Sequence, residues 1–242
     1  MRVSKTPDVR RDELLDIALN LCTTVGYDAM AIDQVTRAAG VAKGTFYYHF
    51  SSKQDMLTAL VARFVDDLFA NLDATASTLI GTGAERFHAL LGSATAWKTA
   101  RVDDALAFVP LLYKPENLEL RHRLFDSWTA RTRGVFLPLV TRGAQDGSFD
   151  VADAEATTDL VLALWLDGSS RMYDRALASD DEDAFVDIVT RGIAALSAAV
   201  ERVLGAAPDT FTVPYDHSIV RAMRVPFLAA LHGTAPITKE PS

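Results

Sequence analysis

The sequence predicts an all-α protein, and three observations predict it. Apolar residues recur at helical spacing along almost the whole chain, with no convincing pairing of alternating, strand-like segments. Glycines and prolines punctuate that pattern at intervals suited to helices of ten to thirty residues. Near the N-terminus two short periodic segments flank a glycine, as in a helix-turn-helix. The expected layout is a helix-turn-helix domain over residues 1–60, a larger helical domain over 61–207 and an extension over 208–242.

Residues 1–9 read as an arm, with Arg2 and Lys5 opposed only by Asp8 and with Pro7 near its end. From Arg10 to Val25, Leu14, Ala18, Leu21 and Val25 share a face beside Leu15 and Cys22, which makes an amphipathic helix ended by Gly26. Cys22 is the lone cysteine, so no intrachain disulfide forms, and its position on the apolar side favours packing over chemistry. Ile32, Val35, Ala38 and Ala39 give the next helix one apolar face, and Gly40 suits its end. A second short helix follows from about Ala42 to His49.

That second helix has two faces. Phe46 and Phe50, four apart, anchor it to a core. Lys43 and Tyr47 share another face with Gly44, Thr45, Tyr48 and His49, a surface of donors and aromatic edges. Gly44 lets a partner's backbone come close. The major groove of DNA admits one helix of this kind.

The run AGVAKGTFYYHF followed by SSK resembles the DNA-binding signature of the TetR family of transcriptional regulators, over about Arg10 to Val61. The resemblance implies that Lys43, Gly44, Thr45, Tyr47, Tyr48 and His49 form the recognition helix. It implies that Lys53 contacts phosphate, with Gln34 a further contributor to DNA contact. It also implies a double-stranded DNA operator, a homodimer and a small-molecule effector as partners, in a ligand-responsive repressor. Ala31 and Thr36 depart from the family's usual residues.

Ser51 or Ser52 caps the following helix, with Asp55 in its first turn. Its stripe of Leu57, Leu60, Val61, Phe64, Leu68 and Leu72 meets no Gly or Pro from Lys53 to Leu79. Gly81 and Gly83 mark a boundary. Helical segments are then expected at roughly 84–100, 103–113, 116–145, 153–178 and 181–204, with Pro110 and Pro138 ending or kinking theirs. Leu160, Leu164, Gly168 and Met172 line one of the last two segments; Val189, Ile193, Leu196, Val200 and Val203 line the other. By the resemblance this pair forms the dimer; burial within one subunit is the alternative. The tail from Pro208 holds five of the nine prolines, with a helix broken near Pro226 between Tyr215 and His232.

The net charge of −8 is unusual for a DNA binder, but residues 1–60 carry seven basic and seven acidic residues. The excess acid therefore lies beyond the DNA-binding segment. No apolar run is long enough to span a membrane and no signal-peptide core is present, so a cytoplasmic protein is expected. Phosphate-loop, dinucleotide, metalloprotease and nucleophile-elbow motifs are absent, and His49, His88, His122, His217 and His232 are scattered. No catalytic residue, metal or cofactor is expected. The rivals are an enzyme, a helical interaction protein that no longer binds DNA, and an activator without an inducer. The aromatic residues Trp97, Phe108, Tyr113, Phe125, Trp128 and Trp165 are the candidates for a hydrophobic effector pocket.

Overall fold

The computed structural model describes residues 6–114, 117–212 and 216–232. Among these the chain is helical and contains no strand, as the apolar periodicity requires. The order is α1 (Pro7–Thr24), α2 (Ile32–Ala38), α3 (Lys43–His49), α4 (Lys53–Thr78), α5 (Gly83–Thr99) and α6 (Val102–Phe108). A 3₁₀ turn (Val109–Tyr113) follows, then α7 (Leu118–Asp146), α8 (Ala154–Leu177), α9 (Glu182–Leu204) and α10 (His217–His232). No helix among the described residues is long and apolar enough to cross a membrane.

The chain forms two compact units. The first takes the chain up to Val65, the segment Val102–Arg121 and the chain from Val225; the second takes Asp66–Arg101 and His122–Arg224. Arg2 and Lys5 of the basic arm, and residues 213–215 and 233–242 of the C-terminal extension, lie outside the described residues.

In the first unit Leu14, Leu15, Ala18 and Cys22 of α1 meet Val35 of α2, Phe46 of α3, Phe50 beyond it, and Met56 and Leu60 of α4. Helix α1 starts at Pro7, earlier than the arm reading placed it. Proline at the first helical position gives up no intrahelical bond, and its φ already suits the helix. The unit also holds a segment remote in sequence. Helix α6 packs on α1, and Ala107 lies against the core. Pro110 ends α6 at Phe108 and the chain tightens into the 3₁₀ turn.

The second unit is centred on four phenylalanines. Phe87 lies with its ring centroid 4.8 Å from Phe136, 4.9 Å from Phe211 and 6.2 Å from Phe149. Thr82 and Glu85 form a capping box at the start of α5: the Glu85 amide donates to Thr82 Oγ1 (3.3 Å) and the Thr82 amide to Glu85 Oε2 (2.8 Å). Helix α7 runs unbroken through Pro138 to Asp146, where an end or kink was expected. One lost amide bond is tolerated there because Phe136, Leu139 and Val140 are buried around it.

Helices α8 and α9 pack closely on each other. A Cβ on Gly168 would stand 2.4 Å from Leu196 Cδ2, and one on Gly192 2.4 Å from Met172 Sδ. The two sequence lines therefore meet partly within one chain, while Leu160 remains 59% exposed. The extension is anchored to this unit. Buried Glu201 accepts hydrogen bonds from the amides of Phe211 (2.7 Å) and Asp209 (3.2 Å), holding Phe211 in the core. Helix α10 continues through Pro226, and its Arg221 pairs with Asp183 at 2.7 Å.

Candidate nucleic-acid interface

Helix α3 is set by the turn before it. Gly40 adopts φ +64°, its amide donates to the Arg37 carbonyl (3.1 Å), and the Val41 amide donates to the Thr36 carbonyl (3.0 Å). These two bonds are those of a Schellman motif, and they fix the angle at which α3 leaves α2. Phe46 and Phe50 are fully buried, so α3 cannot roll. The opposite face is open: Tyr47 is 50% and Tyr48 74% exposed, Lys43 and Gly44 are exposed, and Thr45 and His49 are half-buried. A Cβ added at Gly44 would meet nothing within 4 Å, so a partner can approach the backbone there. The His49 ring stacks edge-on against Tyr48 at 4.8 Å.

The cations on this surface are already engaged within the chain. Lys43 Nζ lies 2.9 Å from Asp33 Oδ1 at the start of α2. Their hydrogen bond holds the Asp33 carboxyl below the usual carboxylate range and raises the Lys43 ammonium. Lys53 is half-buried. It donates to the Asp28 carbonyl (3.1 Å) and sits 4.4 Å over the Tyr27 ring, and burial lowers its pKa. Gln34 Oε1 accepts the Ala31 amide at 2.7 Å. Gln34 thus supplies, from the third position of α2, its own half of a capping box, while Ala31 has no side-chain oxygen to supply the other half.

A polar clamp behind this surface escaped the sequence reading. Lys114, almost buried, reaches Asp28 Oδ2 at 2.7 Å. Buried Asn117 donates to the Leu111 carbonyl (2.8 Å) and accepts from Gln54 Nε2 (2.6 Å), while Tyr27 donates to Gln54 Oε1 (3.3 Å). The loop between α1 and α2 is therefore tied to the segment after α6. No local pattern signals contacts between positions more than sixty residues apart. Burial pushes the neighbouring Cys22 thiol up to about 11 and the Tyr27 hydroxyl up to about 12.

The aromatic candidates for an effector pocket separate. Phe108 is fully buried in the first unit, its ring 5.2 Å from Phe64, and there it serves packing. Tyr113 lies in the same unit, with its side chain outside the described residues. In the second unit Trp97 is nearly buried, Phe125 is 40% exposed, and Trp128 and Trp165 are half-buried. Trp128 meets Phe69 edge-on at 5.7 Å. A groove of about 270 Å³ runs along α9 beside Ile193, Ser197 and Phe211, and none of the six candidates lines it.

Residues 14–60 match the family described as bacterial regulatory proteins, tetR family. The chain is 32% identical over 144 residues to the HTH-type transcriptional repressor KstR2 of Rhodococcus jostii (strain RHA1), covering 58% of this chain and 68% of that protein. It is 26% identical over 161 residues to the HTH-type transcriptional regulator EthR of Mycolicibacterium smegmatis, covering 64% and 71%. In fold it resembles a transcriptional regulator from Cytophaga hutchinsonii ATCC 33406, with TM-score 0.61 at 14% identity over 80% of this chain and 97% of that one.

Proposed function

The chain belongs to the TetR family of bacterial regulatory proteins, DNA-binding transcriptional regulators rather than enzymes, and from that premise we propose a ligand-released repressor. It binds a near-palindromic operator as a homodimer in the cytoplasm, and a small hydrophobic or aromatic molecule in its helical domain releases it. The observation that carries the DNA reading is the division of α3, with Phe46 and Phe50 buried and Tyr47, Tyr48, Lys43 and Gly44 turned to solvent. Lys43, Thr45, Tyr47, Tyr48 and His49 then read or position the duplex. Lys53 acts chiefly by holding the preceding loop, and Gln34 by capping α2.

The exposed Leu160 and the small residues Ala163, Ala194 and Ala195 leave apolar surface on α8 and α9 that suits a second copy. A dimer places its half-site centres about one helical turn, ~34–36 Å, apart. Ligand release requires tighter binding to the DNA-free arrangement than to the DNA-bound one, with a coupling of about 1–3 kcal/mol. Nuclease footprinting across the surrounding genome, at several salt concentrations, should find a two-fold-related protected site whose affinity falls steeply with salt. No protected site would end the operator reading; a protected half-site alone would end the dimer.

A further inference from the structure

The groove of about 270 Å³ in the second unit lies on the flank of α9 turned away from α8. Thr190, Ala194, Ser197 and Glu201 line it, and they recur at steps of four, three and four, so they share one face of the helix. Gly192 and Leu196, which meet Met172 and Gly168 of α8, lie on the other flank. The C-terminal extension forms the far wall with Asp209, Thr212 and His217.

Two buried polar side chains open on this groove. Ser197 is 7% exposed, yet among the described residues its hydroxyl makes no hydrogen bond. Thr190, two turns earlier, spends its proton on the Val186 carbonyl (2.8 Å), the usual arrangement of a helical hydroxyl. Ser197 Oγ is not sealed in protein either, because among the described residues Nε of Arg224 is the atom both sealed and unpartnered. The hydroxyl therefore faces the groove that Ser197 lines. Glu201, also 7% exposed, accepts the amides of Phe211 and Asp209 and pairs with no cation among the described residues. Those two bonds leave about half of the carboxylate's four lone-pair sites unused.

The lining is rich in acceptors and acid. Thr190, Ser197, Glu201 and Asp209 offer lone pairs, no lysine or arginine lines the groove, and His217 is its one basic residue. An anion would be repelled by two carboxylates. A neutral molecule would leave the buried Glu201 charge compensated by amides alone. A primary ammonium brings both the counter-charge and three donors. No group of three metal-ligating side chains exists among the described residues, so the cation is organic rather than a metal ion. The volume falls just below the ~300–1,000 Å³ of pockets for drug-sized ligands, which limits the rest of the molecule to a small body. We propose that this groove binds a small organic cation, its ammonium held by Ser197, Glu201 and Asp209 and its short apolar body lying along Ala194 and Ala198. The site is separate from the aromatic effector candidates, and it depends on neither the operator nor the effector reading.

Two probes of one shape separate charge from body. 2-Phenylethylamine is an ammonium at neutral pH, and 2-phenylethanol is its neutral counterpart. In saturation-transfer NMR titrations of the full chain, the amine should bind about 10- to 100-fold more tightly than the alcohol, the worth of a charge-assisted hydrogen bond. Ser197→Ala should weaken the amine about 2- to 10-fold. Ser197→Leu, whose added carbons enter the groove, should abolish binding with the circular dichroism melt retained. Asp209 has φ +63°, a conformation asparagine also adopts readily, so Asp209→Asn keeps the turn and should weaken the amine about 2- to 5-fold. A net charge of −8 attracts any cation, so Asp126→Asn, at an exposed carboxylate outside the groove, is the control and should change nothing. The proposal is overturned if the amine does not bind, if the alcohol binds as well, if both Ser197 variants spare the amine, or if Asp126→Asn weakens it as much as Asp209→Asn does. Sedimentation of Ser197→Leu supplies the rival outcome: loss of a dimer in that variant would assign the groove to a second copy of the chain and overturn the small-cation site.

Discussion

Lys43 reaches a phosphate only by leaving Asp33, 2.9 Å away across the turn. Both side chains are solvent-exposed, so the pair adds little to the fold, but its place on the DNA-facing surface makes it a competitor. Removing the Asp33 charge frees Lys43 and takes a negative group away from the duplex. Asp33→Asn should raise operator affinity about 2- to 5-fold. It should also steepen the salt dependence by nearly one counterion, because one more phosphate is neutralised. Measured against Lys43→Gln alone, adding Asp33→Asn should leave the salt dependence unsteepened and give only the smaller affinity gain of removing a negative group; a full gain in the double variant would assign the effect to Asp33 alone. At this scale the facing of α3 was legible, because Phe46 and Phe50 sit four apart and Tyr47 does not share their face. The Asp33 bridge was not, since it spans a turn whose geometry depends on the Gly40 conformation.

At the scale of elements, caps and close approaches decide what each helix tolerates. Helix α2 is capped from one side only: Gln34 takes the Ala31 amide, and Ala31 offers no side-chain acceptor in return. Ala31→Ser should complete the box and stabilise the protein by ~0.5–2 kcal/mol, seen as a higher melting temperature. An unchanged melt would show that Gln34 alone suffices. Glycines in the second unit divide by their neighbours. A Cβ on Gly83 would stand 2.2 Å from the Gly143 nitrogen and 2.3 Å from its Cα, both backbone, so no rotamer change relieves the clash. Gly83→Ala should therefore cost about 1–3 kcal/mol or more. Gly92→Ala, in the same helix with nothing within 4 Å of the added carbon, should be neutral or stabilise by up to ~1 kcal/mol. Equal melts for the two variants would refute the close packing of α5 on α7. The sequence marked Gly81 and Gly83 only as a boundary, because a glycine that ends a helix and one that lets two helices touch look alike in one dimension. Pro138 shows the converse: a strong local breaker is overridden by the buried residues on either side of it.

For the whole molecule, linear order misleads about which residues fold together. The break expected after residue 60 follows the chain, whereas the first unit draws in Val102–Arg121. That segment contributes α6 against α1, Phe108 against Phe64, Lys114 to Asp28 and Asn117 to Gln54. A fragment covering residues 1–80 would keep the whole DNA-binding signature and lose all four contacts. Loss of the fully buried Phe108 would remove a ring packed edge-on against Phe64, and the polar loop before α2 would lose its clamp. The fragment should melt well below the full chain by circular dichroism. Cys22 offers a second readout: it is 4% exposed, and burial holds its thiol near 11, so in the full chain it should react slowly with a thiol reagent at pH 8. In the fragment the reaction should be faster, because local opening exposes the core more often. Lys114→Met in the full chain removes one strand of the clamp alone and should fall between the two. If the fragment protects Cys22 and melts as the full chain does, α6 and the residues after it are passengers on the DNA-binding unit. If it does not, any change that shifts the Val102–Arg121 segment also bears on the loop that sets α2 and α3, and operator affinity becomes sensitive to a part of the chain that never approaches the signature in sequence.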